Sequence, residues 1–480
     1  MPRARAKTPH TFPRLEELLT HETDDTIVAH LLTALRSVNA ENINERVTPY
    51  LTHENETVRL SALEALEIVD DDTLRTVINR LDDRSETVRG LAKQKIEQAG
   101  YENPRVLVES LNIPRRRVRE GLFDLLESLG IKELDVIKFA RSQAEQCFLY
   151  VAEIEALKAL PESPERELLL SHLENKKQVE LETVLRVLAT EDRTGHMRAI
   201  WRGVFSADQR RRSNGLEALD DLLDASLSKV MLPLLENLAP QETLALGKKN
   251  FKLPNFDKID VLPYLLEQED WVTRVLVLYH LSRHGLNGVD EASIHRLGDA
   301  ASPYVCQMAR MVMSQQQMES VTAEEEMETE ISIPDKILRL RGINIFEGLA
   351  VSELGAVASV TEVVDFPAGE DVIKEGEAGE TMYLVIEGEV SVIKKRGEGS
   401  GNEVELAKIG AGDYFGEMAL FEDAVRSATI RTAEKSRFLV LHKQEFTEIV
   451  REYPQIALSI CKALSSRIRD LHKKVEEEDQ

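Results

Sequence analysis

The chain has 480 residues, 42% of them hydrophobic, which is enough for two to four domains with cores of their own. Asp plus Glu number 85 against 60 Lys plus Arg, a formal net charge of −25. That charge argues against a nucleic-acid binder, whose affinity comes largely from neutralising phosphates, and fits a cytoplasmic protein that repels its own copies. No stretch approaches the ~20 apolar residues of a membrane span. The N-terminal MPRARAKTPHTFP lacks the apolar run of a secretory signal. Cys147, Cys306 and Cys461 are too far apart for a metal site and read as reduced thiols.

The first half repeats itself. Leu51, Leu81 and Leu111 stand 30 residues apart, as do Val47, Val77 and Leu107, and so do Val58-Arg59, Val88-Arg89 and Val118-Arg119. Between these anchors the apolar spacing is helical, as in Val58, Ala62, Leu63, Ala65 and Leu66. Each unit reads as two antiparallel helices joined by polar residues such as His53-Glu54-Asn55-Glu56. A two-helix unit cannot bury its own apolar face, so neighbours must stack into an α-solenoid.

The pattern resembles HEAT repeats, whose second helix often opens with an acidic turn followed by Val-Arg. His21 to Leu35 fits as a capping unit without the arginine. Past Leu122 the period blurs, then resurfaces at Arg212 to Leu219 and at Asp270 to Arg274, so the solenoid is expected over 14–314. Its concave face would hold a protein partner. Arg115 to Arg117 with Arg119, and Arg210 to Arg212, read as solvated turns paired with local carboxylates rather than as a phosphate surface. Trp201 and Trp271 read as core.

Residues 315–333 hold Glu324, Glu325, Glu326, Glu328 and Glu330 and read as an acidic linker, or as a frayed acidic continuation of the last repeat. Pro334 suits the first turn of a helix. From Val363 the periodicity becomes strand-like, with short apolar runs broken by Gly369, Gly376, Gly379 and Gly388 and a hairpin tip at 396–401. This predicts a small β domain within 334–475.

The most informative stretch is Phe415 to Ile430, FGEMALFEDAVRSATI. Gly416, the short apolar turn with Met418 and Ala419, and then Arg426-Ser427-Ala428 make a plausible anion cradle, since small residues let backbone N–H groups approach a phosphate. Glu417 would be repelled by that phosphate unless it faces a neutral hydroxyl. The pair reads as one ligand with two ends, a phosphate for Arg426 and a sugar hydroxyl for Glu417.

This stretch resembles the phosphate-binding cassette of cyclic nucleotide-binding domains, as in the regulatory subunit of protein kinase A and the catabolite activator proteins. A second signature of that family lies in Val372 to Gly388, VIKEGEAGETMYLVIEG. The resemblance covers roughly Ile333 to Val475. It implies an eight-stranded jelly roll with flanking helices, so the whole chain reads as a multidomain α plus β protein. It further implies that Gly416 and Glu417 meet the ribose, that the turn including Ala419 offers amides to the phosphate, and that Arg426 and Ser427 bind the phosphate oxygens. Val425 replaces the proline common in kinase-type cassettes, and Ser427 leans the reading to cAMP over cGMP. A helix preceding the barrel moves with a lid helix in the family, and Ile337, Leu338, Leu340 and Phe346 occupy that region.

After Pro454, Ile460, Leu464, Ile468, Leu471 and Val475 mark one long helix, either a lid on the barrel or a dimer seam through which the chain would form an oligomer. A gapless alignment puts Leu471 and His472 where the activators recognise the base, so His472 is a candidate base cap. The activators continue into a helix-turn-helix, for which the 480 residues leave no room, so a transcription factor is not expected. The expected function is a cyclic nucleotide sensor that relays binding to a protein on the solenoid, without catalytic residues, metal or cofactor. A membrane-protein partner is compatible with the resemblance to soluble parts of some bacterial nucleotide transporters. The alternative is a structural scaffold whose barrel is an empty interaction module, with a mutual Glu417–Arg426 salt bridge closing the cassette.

Overall fold

The computed structural model describes residues 11–37, 42–100, 104–112, 116–129, 136–191, 196–236, 238–268, 270–286, 288–298, 302–318, 331–395, 403–422 and 425–478. The chain forms two compact units, one of residues 1–147 and 179–251, the other of residues 148–178 and 252–480.

The described residues of the first unit are helical, and the 30-residue period is a packing period. Val47, Val77 and Leu107, Leu51, Leu81 and Leu111, and Val58, Val88 and Val118 are all at most 2% exposed. In each unit a first helix tightens into a 3-10 turn, at Thr48–Thr52, Asn79–Asp82 and Ser110–Asn112. The second helix follows, at Glu56–Ala65, Glu86–Gly100 and Arg116–Leu129.

The recurrent Val-Arg pair has a physical reason. The valine enters the core while the arginine turns back to tie the loop that precedes its helix. Arg59 Nη1 donates to the carbonyls of His53 and Glu54, both at 2.8 Å, and Arg89 Nη1 donates to those of Asp83 (2.7 Å) and Arg84 (3.1 Å). Arg59 also grips Asp83 of the next unit with both prongs at 2.9 Å, and both side chains are only 4% exposed. Such a pair is tolerated inside a protein because its donors and acceptors are matched. The period blurs past Leu122 because two long helices follow, Val136–Lys158 and Pro164–Glu191. The echo at Arg212 to Leu219 keeps a helix but changes the packing: a Cβ on Gly215 would lie 2.7 Å from the Val204 nitrogen, so two helix backbones meet there directly.

The second unit begins with helical segments and ends with the β domain. The helix Trp271–His284 is capped by Asp270, which accepts from the Val272 and Thr273 amides (both 3.3 Å) and the Thr273 hydroxyl (2.5 Å). His172 Nε2 lies 2.8 Å and Lys176 Nζ 3.2 Å from the same carboxylate. Burial opposes the Asp270 charge, yet the hydrogen bonds and the His172 and Lys176 charges hold its carboxyl far below the usual range. Nearby, Glu153 is fully buried; Gln268 donates to one oxygen at 2.6 Å and the other has no partner among the described residues. Burial pushes its pKa up to about 7, against the opposing Lys176 charge. The helix Pro303–Met318 runs into the segment read as an acidic linker, whose residues 319–330 lie outside the described ones, as does the hairpin tip 396–401.

Helix Ile333–Arg341 is capped by Ser332 with Pro334 in its first turn, and helix Val351–Val360 follows the turn Asn344–Phe346. Eight strands come next: β1 Glu362–Phe366, β2 Asp371–Ile373, β3 Thr381–Glu387, β4 Glu389–Lys395, β5 Glu403–Gly410, β6 Tyr414–Phe415, β7 Thr429–Thr432 and β8 Ser436–His442. They form two antiparallel four-stranded sheets in the orders β1-β8-β3-β6 and β2-β7-β4-β5, the strand order of a jelly roll.

The strand period of two splits β3 between two cores. Val385 joins Ile373, Val390, Phe415, Ile430 and Phe438 in one cluster. Met382 and Leu384 join a larger cluster that also contains Tyr279, Leu340, Phe346 and Ile460. The helical end of this unit and the β domain therefore share one core. The last helices are Lys443–Glu452 and Pro454–Glu478. Ile456 and Ile460 are buried and Leu464 packs against the same core, so the start of the terminal helix is spent on its own domain; the side chains of Ile468, Leu471 and Val475 lie outside the described residues.

Two stability predictions follow from the buried charges. Arg59→Met strands the Asp83 carboxylate and is expected to cost ~3–5 kcal/mol in denaturant unfolding; a loss under ~1 kcal/mol would contradict the inter-unit lock. The folded state keeps the Glu153 proton to higher pH than the unfolded chain, so raising pH from about 4.5 through about 7 withdraws stability. Glu153→Gln is expected to be increasingly more stable than the parent over that window, by about 3 kcal/mol above pH 8. A gap in melting temperature that ignores pH would count against it.

Candidate functional site

The two motifs singled out in the sequence meet in space. The turn at 376–379 is hydrogen-bonded along the backbone of Val425-Arg426: the Gly376 N–H donates to the Arg426 carbonyl at 2.9 Å, the Arg426 N–H donates to the Glu377 carbonyl at 2.8 Å, and Ala378 bridges Val425. Below this clamp, β3 pairs with β6 and the Tyr383 ring stacks on Phe415 at 5.1 Å, which fixes the end of β6 where Gly416 begins the cassette.

Gly416 has φ +76°, in the left-handed region that favours glycine, and a Cβ there would lie 2.8 Å from Arg426 Nη1 and 2.9 Å from the Thr381 carbonyl. Its bend feeds a single helical turn, Met418–Phe421, with Glu417 at the start and half-buried.

Arg426 is the centre of this arrangement. Its side chain is 9% exposed, with Nη1 donating to the Gly416 carbonyl at 3.3 Å and Nη2 to Thr381 Oγ1 at 2.8 Å. Both acceptors are neutral. The guanidinium carries five N–H groups, and the other three have no partner among the described residues, where Arg426 forms no ion pair. The Glu417–Arg426 salt bridge of the empty-cassette alternative is therefore not formed. Burial draws the pKa of Arg426 below its ordinary value, but a guanidinium stays charged. Among the described residues, no anion pairs with this largely buried cation.

The structure gathers Gly416, Glu417, Met418, Ala419, Arg426, Ser427 and Ala428 into the segment between β6 and β7, with differences from expectation. The Ala419 N–H is used within the turn, donating to the Gly416 carbonyl at 3.2 Å. Ser427 is exposed, and neither its hydroxyl nor its N–H has a partner among the described residues; Ala428 beside it is half-buried. Met418 is 52% exposed. The side chain of His472 lies outside the described residues. Sequence reasoning missed Thr381, the hydroxyl acceptor of Arg426, and the close role of Gly379, where a Cβ would fall 2.0 Å from Arg426 Nε. The Gly379-Glu380-Thr381 run opening β3 was the available signal.

Comparison with known proteins agrees with this geometry. Residues 363–453 match the family model for the cyclic nucleotide-binding domain, so the chain carries such a domain at its C-terminal end. It is similar to the cyclic AMP receptor protein of Thermus thermophilus, 30% identical over 131 residues, which cover 27% of this chain and 60% of that protein. It is also similar to a cAMP-dependent protein kinase regulatory subunit of Mycosarcoma maydis, 31% identical over 116 residues, 23% of this chain and 22% of that protein. The chain thus spans less than two thirds of either relative. Among solved structures, the Thermus thermophilus catabolite activator protein aligns with 29% identity over 28% of this chain and 63% of that chain, at a TM-score of 0.26.

Gly379→Ala drives a methyl into the guanidinium at the far end of a flexible side chain, so it is expected to displace Arg426 from Gly416 and Thr381 and cost about 1 kcal/mol, roughly the two hydrogen bonds lost, as read by thermal melting without added nucleotide. A melt matching the parent would mean that Arg426 is not held where described.

Proposed function

We propose that this chain is a cyclic nucleotide sensor, with cAMP its ligand, that relays binding to a protein held by the helical repeats. The reading rests on one observation: Arg426 is largely buried and has only neutral partners among the described residues, leaving three N–H groups for a ligand in a domain of the cyclic nucleotide-binding family. Burying a cation without an anion is costly, and a phosphate supplies the missing charge and a planar match to the guanidinium fork. Glu417 takes the ribose hydroxyl, and the exposed Ser427 hydroxyl and amide complete the phosphate contacts. The relatives bearing cAMP in their names favour that nucleotide over cGMP.

The 30-residue units form a HEAT-like solenoid in this reading, and the terminal helix closes on the barrel as a lid. The relay draws on differential affinity, since a ligand that binds both lid states equally shifts nothing. The protein works without catalysis in the cytoplasm, and its net charge of −25 disfavours DNA as the partner. Among the described residues no helix is long and apolar enough to cross a membrane.

Melting with nucleotide tests this. cAMP at 100 times its dissociation constant is expected to add ~2.7 kcal/mol of stability, and Arg426→Ala to abolish the gain. Glu417→Gln is expected to weaken binding about 10- to 100-fold, the weight of a hydrogen bond to a charged group. A flat melt with cAMP, cGMP and cyclic dinucleotides would favour the scaffold alternative.

A further inference from the structure

In the second unit, a polar cluster joins the helix Trp271–His284 to the helix Ile333–Arg341 that precedes the barrel. Tyr279, 2% exposed on the 271–284 helix, donates its hydroxyl to Asp335 Oδ1, and Arg283 Nη2 reaches the same oxygen at 3.3 Å. The other Asp335 oxygen accepts from the hydroxyl of Ser332, whose Oγ caps the 333–341 helix by accepting the Asp335 N–H at 3.3 Å, so the carboxylate ties this capped helix start to the 271–284 helix. Two turns earlier on the same face as Tyr279, Trp271 reaches the second helix of the pair: a Cβ on Gly355 would lie 3.9 Å from Trp271 and 3.7 Å from Ile337.

The turn between the Ile333–Arg341 and Val351–Val360 helices seats the terminal helix. Ile345 and Phe346 are fully buried in the same core as Ile456 and Ile460, and Ser459 Oγ donates to the Glu347 carbonyl at 2.5 Å. The cassette is joined to the same assembly, because Phe421 meets Phe446 of the 443–452 helix edge-on at 5.6 Å.

We propose that Tyr279 and Asp335 are positioning residues for the nucleotide site, holding the 333–346 segment so that the cassette and the terminal helix are preorganised for ligand. This rests on the sensor reading above and names the contact through which array and ligand are coupled. Preorganisation lowers the ordering cost of binding, so loosening the latch weakens affinity although no latch residue touches ligand. By linkage, the ligand must tighten the latch to the same degree.

Isothermal titration of the full chain with cAMP tests it. Tyr279→Phe, which removes one hydroxyl, is expected to weaken binding about 3- to 30-fold. Asp335→Ala removes the acceptor that Tyr279 and Arg283 share and is expected to weaken binding at least as much as Tyr279→Phe. Val88→Ala, a cavity in the first unit, is expected to lower the melting temperature and leave affinity unchanged. Unchanged or tighter binding in Tyr279→Phe, with the parent binding cAMP, overturns the latch and leaves the sensor standing. Parent protein that does not bind overturns both.

Discussion

A guanidinium buried against a carbonyl and a hydroxyl organises the β domain. Arg426 cannot neutralise itself, since its ordinary pKa lies far above any working pH, and its hydrogen-bond partners among the described residues supply dipoles but no charge. Much of the local sequence can be understood as the means of holding it there. Gly379 removes the side chain that would strike its Nε, Gly416 supplies the left-handed bend that aims a carbonyl at it, and the 376–379 turn pins its backbone. A structural arginine of this burial ordinarily has a carboxylate, as Arg59 has Asp83. The two arginines differ in that Arg59 has a carboxylate partner, whereas Arg426 has none among the described residues.

The β domain is not an appended module in the second unit. Its flanking helices and the array helix Trp271–His284 share a single hydrophobic core, and polar contacts at Asp335 are set into that shared face. Packed cores respond to strain by switching between discrete arrangements rather than deforming smoothly. The proposed relay would run through this shared core, which the cassette joins where Phe421 meets Phe446. The fully buried Glu153 and the charge-ringed Asp270 cap lie on the array side of this core, so proton uptake and helix capping bear on the same packing.

How much of this was legible in the sequence follows from the range of each interaction. The 30-residue registers are visible because a repeated helix pair must present the same apolar face at each turn, and all nine anchor positions are buried. The candidate cassette is visible because Gly416, Glu417, Arg426 and Ser427 all fall in one short stretch of the chain. The β domain shows its two cores through alternation along β3. Contacts between distant residues leave no such trace: 45 residues separate Thr381 from Arg426, and 56 separate Tyr279 from Asp335. The blurred middle of the array is equally physical, because the Val136–Lys158 and Pro164–Glu191 helices exceed the length the period allows.

The most direct measurement is a crystal structure of the protein with bound cAMP. The account predicts the exocyclic phosphate oxygens within about 2.7–2.9 Å of the Arg426 guanidinium, the distance of a charge-assisted pair, with Glu417 on the ribose hydroxyl. A nucleotide whose phosphate lies elsewhere, with Arg426 still bonded only to Gly416 and Thr381, would contradict it.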